Sequence, residues 1–482
     1  MGDIPQSQKA TLHIIRAIPG VAAILGILSL WLWLKGSSED DWQERTPAAE
    51  TIDVAAEGLS TRMRGQLTKF SGVPAALPGA WPRFRGQNAD GVSVSSVELL
   101  KTWGGGEPNT LWGIDVGEGY AGATILNGRV YLLDYDPTGE GLPRGGPPIG
   151  ADTLRCLSLA DGKEIWRYAY PVKTKRNHGM SRTVPAVTEK YVVALGPKCH
   201  VICLDSITGE LHWQLDLVKD FGATVPPWYA GQCPLIDDGK AILAPGGDTA
   251  LIMAADCETG DIIWKTPNPN GWNMTHSSII PMEFKGKRMY VYCANRGVVG
   301  VSADDGAILW ETTAWKISIA TVPSPLILDS GQIFLSGGYN AGSMMLQLKE
   351  DTDRLIAEPL FRLEPEVFGA TQQTPILFDN HIYGVRPNGE FICLKPNGEL
   401  VWTSDTAHRF GLGPFIIANG LIYVMNDSGT LTLLEATPGG YTQLAQSQVL
   451  NGHDSWGPMA FAEGRLIVRD MTRMVCLDVS EN

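Results

Sequence analysis

Residues 205–217 read DSITGELHWQLDL, and a near copy, DCETGDIIWKT, begins at Asp256. Three further versions stand in ADGKEIWRY, ending at Tyr168, in DDGAILWET, from Asp304, and in NGELVWTS, from Asn397. In all five the Gly precedes the Trp by four residues: Gly162 and Trp166, Gly209 and Trp213, Gly260 and Trp264, Gly306 and Trp310, Gly398 and Trp402. A Gly after Asp, Asn or Thr supplies the positive φ of a tight hairpin, and the β-branched and aliphatic residues leading to the Trp read as the strand that leaves it. Successive Trp residues stand 47, 51 and 46 positions apart, and Phe361 in AEPLFRL takes the Trp place in the next unit. A period of this length filled with short strands predicts propeller blades.

A second marker runs in phase. Pro185, Pro234, Pro325, Pro375, Pro414 and Pro458 each precede a short apolar run, and Pro is tolerated at the first residue of a strand because no ladder N–H is needed there. With VVAL, MYVYC, QIFLS, LIYVM and RLIVR between the two markers, each unit holds four strands, one antiparallel blade. Units start near 121, 185, 234, 278, 325, 375, 414 and 458, and the eighth runs out of chain after CLDV. Its missing outer strand is expected from Asn109 to Val116, NTLWGIDV, whose Trp112 has the blade-Trp pattern with no blade of its own. Such a closure removes the open sheet edge. The reading is an all-β, eight-bladed propeller over 81–482, expected to be a monomer.

These units resemble the repeats of quinoprotein-like β-propellers, in which a D-x-x-T-G-x-x-x-W phrase ends each blade and the Trp docks between neighbours. WPRFRGQNADGVS, Trp81 to Ser93, followed by LWGIDVGEGYAGATILNGRVYLLD, is similar to the front of PQQ-binding-like β-propeller repeat proteins, and the similarity extends to Val479. The resemblance implies the fold. For function it implies either a dehydrogenase that holds pyrroloquinoline quinone with calcium, or a non-catalytic scaffold such as the propeller subunit of the outer-membrane β-barrel assembly machinery. The chain departs from both patterns: it has no adjacent Cys pair and no C-x-x-C-H haem site, and no Cys precedes Cys156 to carry a lipid.

The front of the chain speaks for location. Ile18 to Leu34 carries no charge over 17 residues, about 26 Å of helix against a bilayer core of about 30 Å. No A-x-A-like cleavage site follows Lys35, so residues 1–35 are read as a cytoplasmic stub and an uncleaved transmembrane anchor. Lys9 and Arg16 precede the helix while Glu39, Asp40, Asp41 and Glu44 follow it, which places the propeller on the periplasmic or extracytoplasmic side of a cell membrane. Residues 36–80 are polar and weakly periodic, a flexible tether with a short helix near Ile52 to Leu67. The net charge of −14 excludes a nucleic-acid partner. Cys156, Cys203, Cys393 and Cys476 occupy one repeated slot, and equivalent positions on different blades are too far apart to bridge, so the eight cysteines are expected as buried free thiols.

Residues just before the inner strands converge on the central channel. They are Tyr120, Arg182, Gln232, His276, Thr321, Gln373 and Trp456, with His178, Trp228, Trp272, His408, Arg409, His453 and Asp454 farther back in the same loops. A funnel of polar and aromatic groups is the expected ligand site. The blade residues Trp112, Trp166, Trp213, Trp264, Trp310 and Trp402 are structural. No catalytic residue and no metal ligand set can be read across the blades. The expected function is a membrane-anchored binding or scaffold module whose loop-rich face takes a protein or glycan partner. The alternatives are a PQQ-dependent alcohol or sugar dehydrogenase, a PQQ-binding protein without catalysis and, last, a hydrolase or lyase with His276 or His453 as base.

Overall fold

The computed structural model describes residues 25–31, 65–104, 106–139, 150–175, 179–352 and 354–481. The chain divides into two units, Met1–Thr51 and Ile52–Asn482. In the first, residues 25–31 are helical and exposed. The structure does not supply the spanning anchor expected over Ile18 to Leu34: the rest of that stretch lies outside the described residues, and no helix among the described residues is long and apolar enough to cross a membrane.

The second unit carries eight four-stranded antiparallel blades. Blade 1 is built from Ala123–Leu126, Arg129–Asp136, Ala151–Ser158 and Glu164–Pro171, innermost strand first. The inner strands of blades 2 to 8 begin at Ala186, Leu235, Ile280, Leu326, Ile376, Phe415 and Ala460, one or two residues past the starts read from the sequence. Blade 8 takes its outer strand from Asn109–Asp115, which pairs with Arg473–Asp478 and sets Trp112 opposite Cys476. The first and last strands of the ring thus share one sheet.

The packing explains the repeated phrase. In every blade the register slips by one residue between the third and fourth strands, and in seven of the eight the slip lies beside the residue that faces a Trp or Phe. That facing slot is Cys156, Cys203, Ala254, Gly300, Cys393 or Cys476 where the partner is Trp, and Met345 where it is Phe361. In blade 7 the sizes are exchanged, Leu433 facing Ala445. The slot is small because a Trp lies across from it, which is why Cys recurs there; all eight cysteines are free and buried. The Gly of the phrase packs on the Trp of the blade before. A Cβ on Gly209 would lie 2.7 Å from Trp166 Cδ2, and one on Gly306 would lie 2.3 Å from Trp264 Cε3. Both have φ above +70°, so turn and packing demand the same residue. Trp112 and Trp213 complete the junction by donating through Nε1 to the carbonyls of Leu159 and Cys257, each at 2.9 Å.

The tether read over 36–80 ends sooner than expected. Gln66–Lys69 pairs antiparallel with the outer strand of blade 1, from Gln66 opposite Ala169 to Lys69 opposite Trp166. Only the end of the helix expected near Ile52 to Leu67 is described, and that end is this strand. Residues 36–64 lie outside the described residues.

Candidate functional site

Two segments shape the central channel. The first is WPRFRGQNADGVS, residues 81–93, which enters from the face that carries the Gly turns. Ala80–Trp81 pairs with the far end of the inner strand of blade 1, the Pro82 carbonyl accepts from Val187 N of blade 2 at 2.7 Å, and Val92–Ser93 leaves parallel to the inner strand of blade 7. Between them the buried Arg85 guanidinium donates to the carbonyls of Ala89, Asp90, Thr374 and Pro375 at 2.7–3.1 Å. A buried charge without a carboxylate on it survives only when its donors are used. Here they tie the segment to blade 6, and burial brings the Arg85 pKa down to about 10. The segment thus runs along the Gly-turn end of the ring from blade 1 to blade 7 and is pinned to blades 2 and 6.

The second segment set is the loops at the opposite face. Gly119 and Ser181 form a parallel bridge, Tyr120 N donates to Ser181 O at 2.7 Å and Met180 N to Glu118 O at 3.0 Å, so the loops leading into blades 1 and 2 are zipped together. A Cβ on Gly179 would lie 2.5 Å from Gly119 Cα, which makes glycine the residue that permits this approach. On the blade 8 side the buried Arg469 donates to the carbonyls of Gly117, Ala121, Asp470 and Met471. That brace over the ring closure had no sequence signal beyond an Arg ending the run RLIVR.

Four of the expected site residues meet here. The Tyr120 and Trp456 rings stack at 5.3 Å and 21°, the Tyr120 hydroxyl donates to Asp454 Oδ2 at 3.2 Å, and the Arg182 Cζ stands 4.8 Å over the Tyr120 ring. Trp456 Nε1 is held by Asp427 Oδ1 at 2.7 Å. Among the described residues Arg182 Nε and Nη2 are buried without a hydrogen-bond partner. Burial brings Arg182 down to about 10 and pushes Tyr120 up to about 12. His276 lies within reach of this charge: burial first, then Arg182, hold its imidazole down at about 4. Its Nε2 sits 3.0 Å from Tyr229 O, and Gly231 leaves room for the ring, since a Cβ there would be 2.2 Å from His276 Cδ2.

The other expected residues are placed differently. Gln232 is fully buried, its amide bonded to both N and O of Ala244, and the Gln373 amide donates to Gly411 O and Gly413 O. Both hold backbone in position, Gln232 through both of its polar atoms and Gln373 through Nε2. Thr321 is buried and accepts from His276 N through its carbonyl at 3.0 Å. His178 lies outside the described residues. Tyr229 was not legible as a site residue: it adopts φ +68°, a costly backbone for a bulky side chain, and its hydroxyl donates to Lys175 O at 2.6 Å.

The result is a cation facing aromatic rings, a neutral imidazole and one acid occupied by a phenol. Such a set can bind an anion or a flat ring. It is poorly matched to proton transfer near neutral pH, where an efficient acid or base has a pKa near the working pH.

Comparison with known proteins agrees with this architecture. A family model described as outer membrane protein assembly factor BamB matches residues 150–397. The chain belongs to that family of PQQ-like propellers. Two BamB proteins are similar in sequence: that of Moranella endobia, 20% identical over 296 residues, covering 60% of this chain and 73% of the relative, and that of Alteromonas naphthalenivorans, 23% identical over 251 residues, covering 48% and 56%. The crystal structure of BamB from Moraxella catarrhalis superposes with a TM-score of 0.53 at 13% identity, over 77% of this chain and all of that one. At such identities the likeness to BamB-family structures speaks for the fold, and the site must be argued from its own residues.

Proposed function

We propose that this protein is an extracytoplasmic binding and scaffold module of the cell envelope, which presents the open mouth of its ring to a protein partner. The observation that carries the proposal is the closed ring of eight blades, which holds the loops before its inner strands together at one face. Loops on a fixed scaffold recognise a partner without moving the core. The outer-membrane assembly role in the names of its relatives supports a partner in that process. The apolar run Ile18–Leu34, with its flanking charges, would hold the chain at the membrane. The test is calorimetric titration of the full chain in detergent with the purified barrel subunit of the outer-membrane assembly machinery of the same organism. Saturable binding weakened about tenfold, ~1.4 kcal/mol, by Arg409→Glu on the exposed rim is expected. No binding by the native chain would sink the proposal. Sequencing the N-terminus of the membrane-bound protein checks the anchor: a start between Lys35 and Ala80 would remove it.

One observation favours a second reading. The unpartnered Nε and Nη2 of Arg182 form one edge of the guanidinium, the fork that takes both oxygens of a carboxylate, and pyrroloquinoline quinone carries carboxylates on a flat ring. Calcium does not fit: among the described residues no three acid, His or Cys side chains converge, and calcium takes six or more oxygens. These loops would hold the quinone through Arg182 beside Tyr120 and Trp456, and the quinone would supply redox chemistry when bound. Titration with the quinone, with and without calcium, decides. One-to-one binding lost in Arg182→Ala supports this reading, and no binding at high micromolar quinone ends it.

A further inference from the structure

Asp152 is the second residue of the third strand of blade 1. By alternation it shares a face with Leu154 and Cys156, which pack with Leu133 and Ile202 in the apolar layer between blades 1 and 2. Its carboxyl is fully buried, and among the described residues neither oxygen has a hydrogen-bond partner. The other buried acids are answered: Asp134 by Arg155 at 3.0 Å, Glu390 by Arg386, and Asp470 by the amides of Gly452, Thr472 and Arg473 at 2.8–2.9 Å. Asp152 instead stands across from two phenols, Tyr135 on the second strand and Tyr170 on the outer one. The Tyr135 hydroxyl donates to Val172 O, whereas that of Tyr170 is buried without a partner. Blade 2 closes the site with Gly196, where a Cβ would lie 2.3 Å from Asp152 Oδ2 and 2.7 Å from Tyr170 Oη. The charged groups of blade 2 are engaged elsewhere. His200 meets the Tyr170 ring edge-on at 6.0 Å with its Nε2 3.8 Å from Asp216 Oδ2, and the Lys198 ammonium stands over the Tyr229 ring.

We propose that Asp152 is held as a neutral acid near neutral pH and acts as a pH-sensitive latch on the junction of blades 1 and 2, which loosens when an alkaline medium ionises it. An ionised carboxylate with no partner in an apolar layer is far costlier than the protonated acid, so the group keeps its proton. Burial accordingly pushes the Asp152 pKa up to about 8, with the Tyr170 phenol acting in the opposite, lesser sense. In the unfolded chain the value is about 3.9. Between the two the folded chain carries a proton that the unfolded chain has lost. The stability from this group is therefore complete below about pH 4 and falls as pH rises to about 8, by up to about tenfold in the folded-to-unfolded ratio per pH unit. The strand that carries Tyr170 leads on in sequence to the loop of Arg182, so the latch sits at the root of the candidate site.

The test is infrared spectroscopy of the full chain in detergent and heavy water. A carbonyl band of a protonated carboxyl is expected at about pH 6, fading toward about pH 9 and missing from Asp152→Asn throughout. Urea unfolding from about pH 6.5 to about pH 8, where free thiols and phenols are still largely protonated, gives the second readout. The native midpoint should fall across that range, and that of Asp152→Asn, which keeps a neutral group of the same shape, should fall less. No such band in the native chain at about pH 6, or midpoints that fall in parallel, overturns the proposal. The band and its fading are read on the native chain, so they decide the matter whether or not the variant folds.

Discussion

Replacing Gly306 by Ala separates the two demands placed on the repeated Gly. Gly306 has φ +73°, and an added Cβ would lie 2.3 Å from Trp264 Cε3. Gly286, in the neighbouring hairpin Lys285–Gly286, has φ +71° with nothing within 4 Å of an added Cβ. A side chain in the left-handed region costs ~1–2 kcal/mol, and this is the whole expected loss for Gly286→Ala. At Gly306 the Trp264 ring, 7% exposed and packed in its cluster, must also move, and overpacking of this kind adds ~1–3 kcal/mol. Gly306→Ala should therefore cost ~2–5 kcal/mol in all. Urea unfolding of the full chain, followed by indole fluorescence, reads the difference between the two variants as a shift in midpoint. Equal losses would refute the idea that contact with the preceding blade's Trp keeps Gly in the phrase.

Three further outcomes are expected. Deleting the chain through Val116 removes the strand that pairs with Arg473–Asp478 and should lower the unfolding midpoint of the whole ring; an unchanged midpoint would mean that closure contributes nothing. Arg85→Met leaves four carbonyls without their donor, at ~1–3 kcal/mol for each that stays dry, so hydrogen exchange over residues 81–93 should accelerate while the outer strands stay protected. His276 is held near 4 in the fold, against about 6.5 in the unfolded chain. Between those values the unfolded chain binds the extra proton, so stability falls as pH drops from about 6.5 to about 4, by at most ~3 kcal/mol. Imidazole NMR checks the titration, and a His276→Phe variant of native fold should lose that acid sensitivity.

The architecture was legible because a repeat states its own packing rule many times. Gly and Trp four residues apart, Pro in phase and an orphan strand at Asn109 were enough to count blades and close the ring. Location within the loops was legible too, since Tyr120, Arg182, Asp454 and Trp456 all precede inner strands and do meet. Hydrogen-bond commitment was not. Nothing in the sequence distinguishes Gln232 and Gln373, whose amides are spent on backbone, from Arg182, whose Nε and Nη2 have no partner among the described residues.

The sequence by itself determined the blade, its number and its order, because strand period, turn residues and the small slot opposite each Trp are local properties repeated along the chain. The tertiary structure alone decided that residues 81–93 link the inner strands of blades 1 and 7, that Gln66–Lys69 extends blade 1 and that the Cys203 thiol meets the Cys257 carbonyl. Those contacts join segments without periodicity, or cross from one repeat to the next. Their partners are chosen by the curvature of the closed ring, which no local pattern of residues encodes.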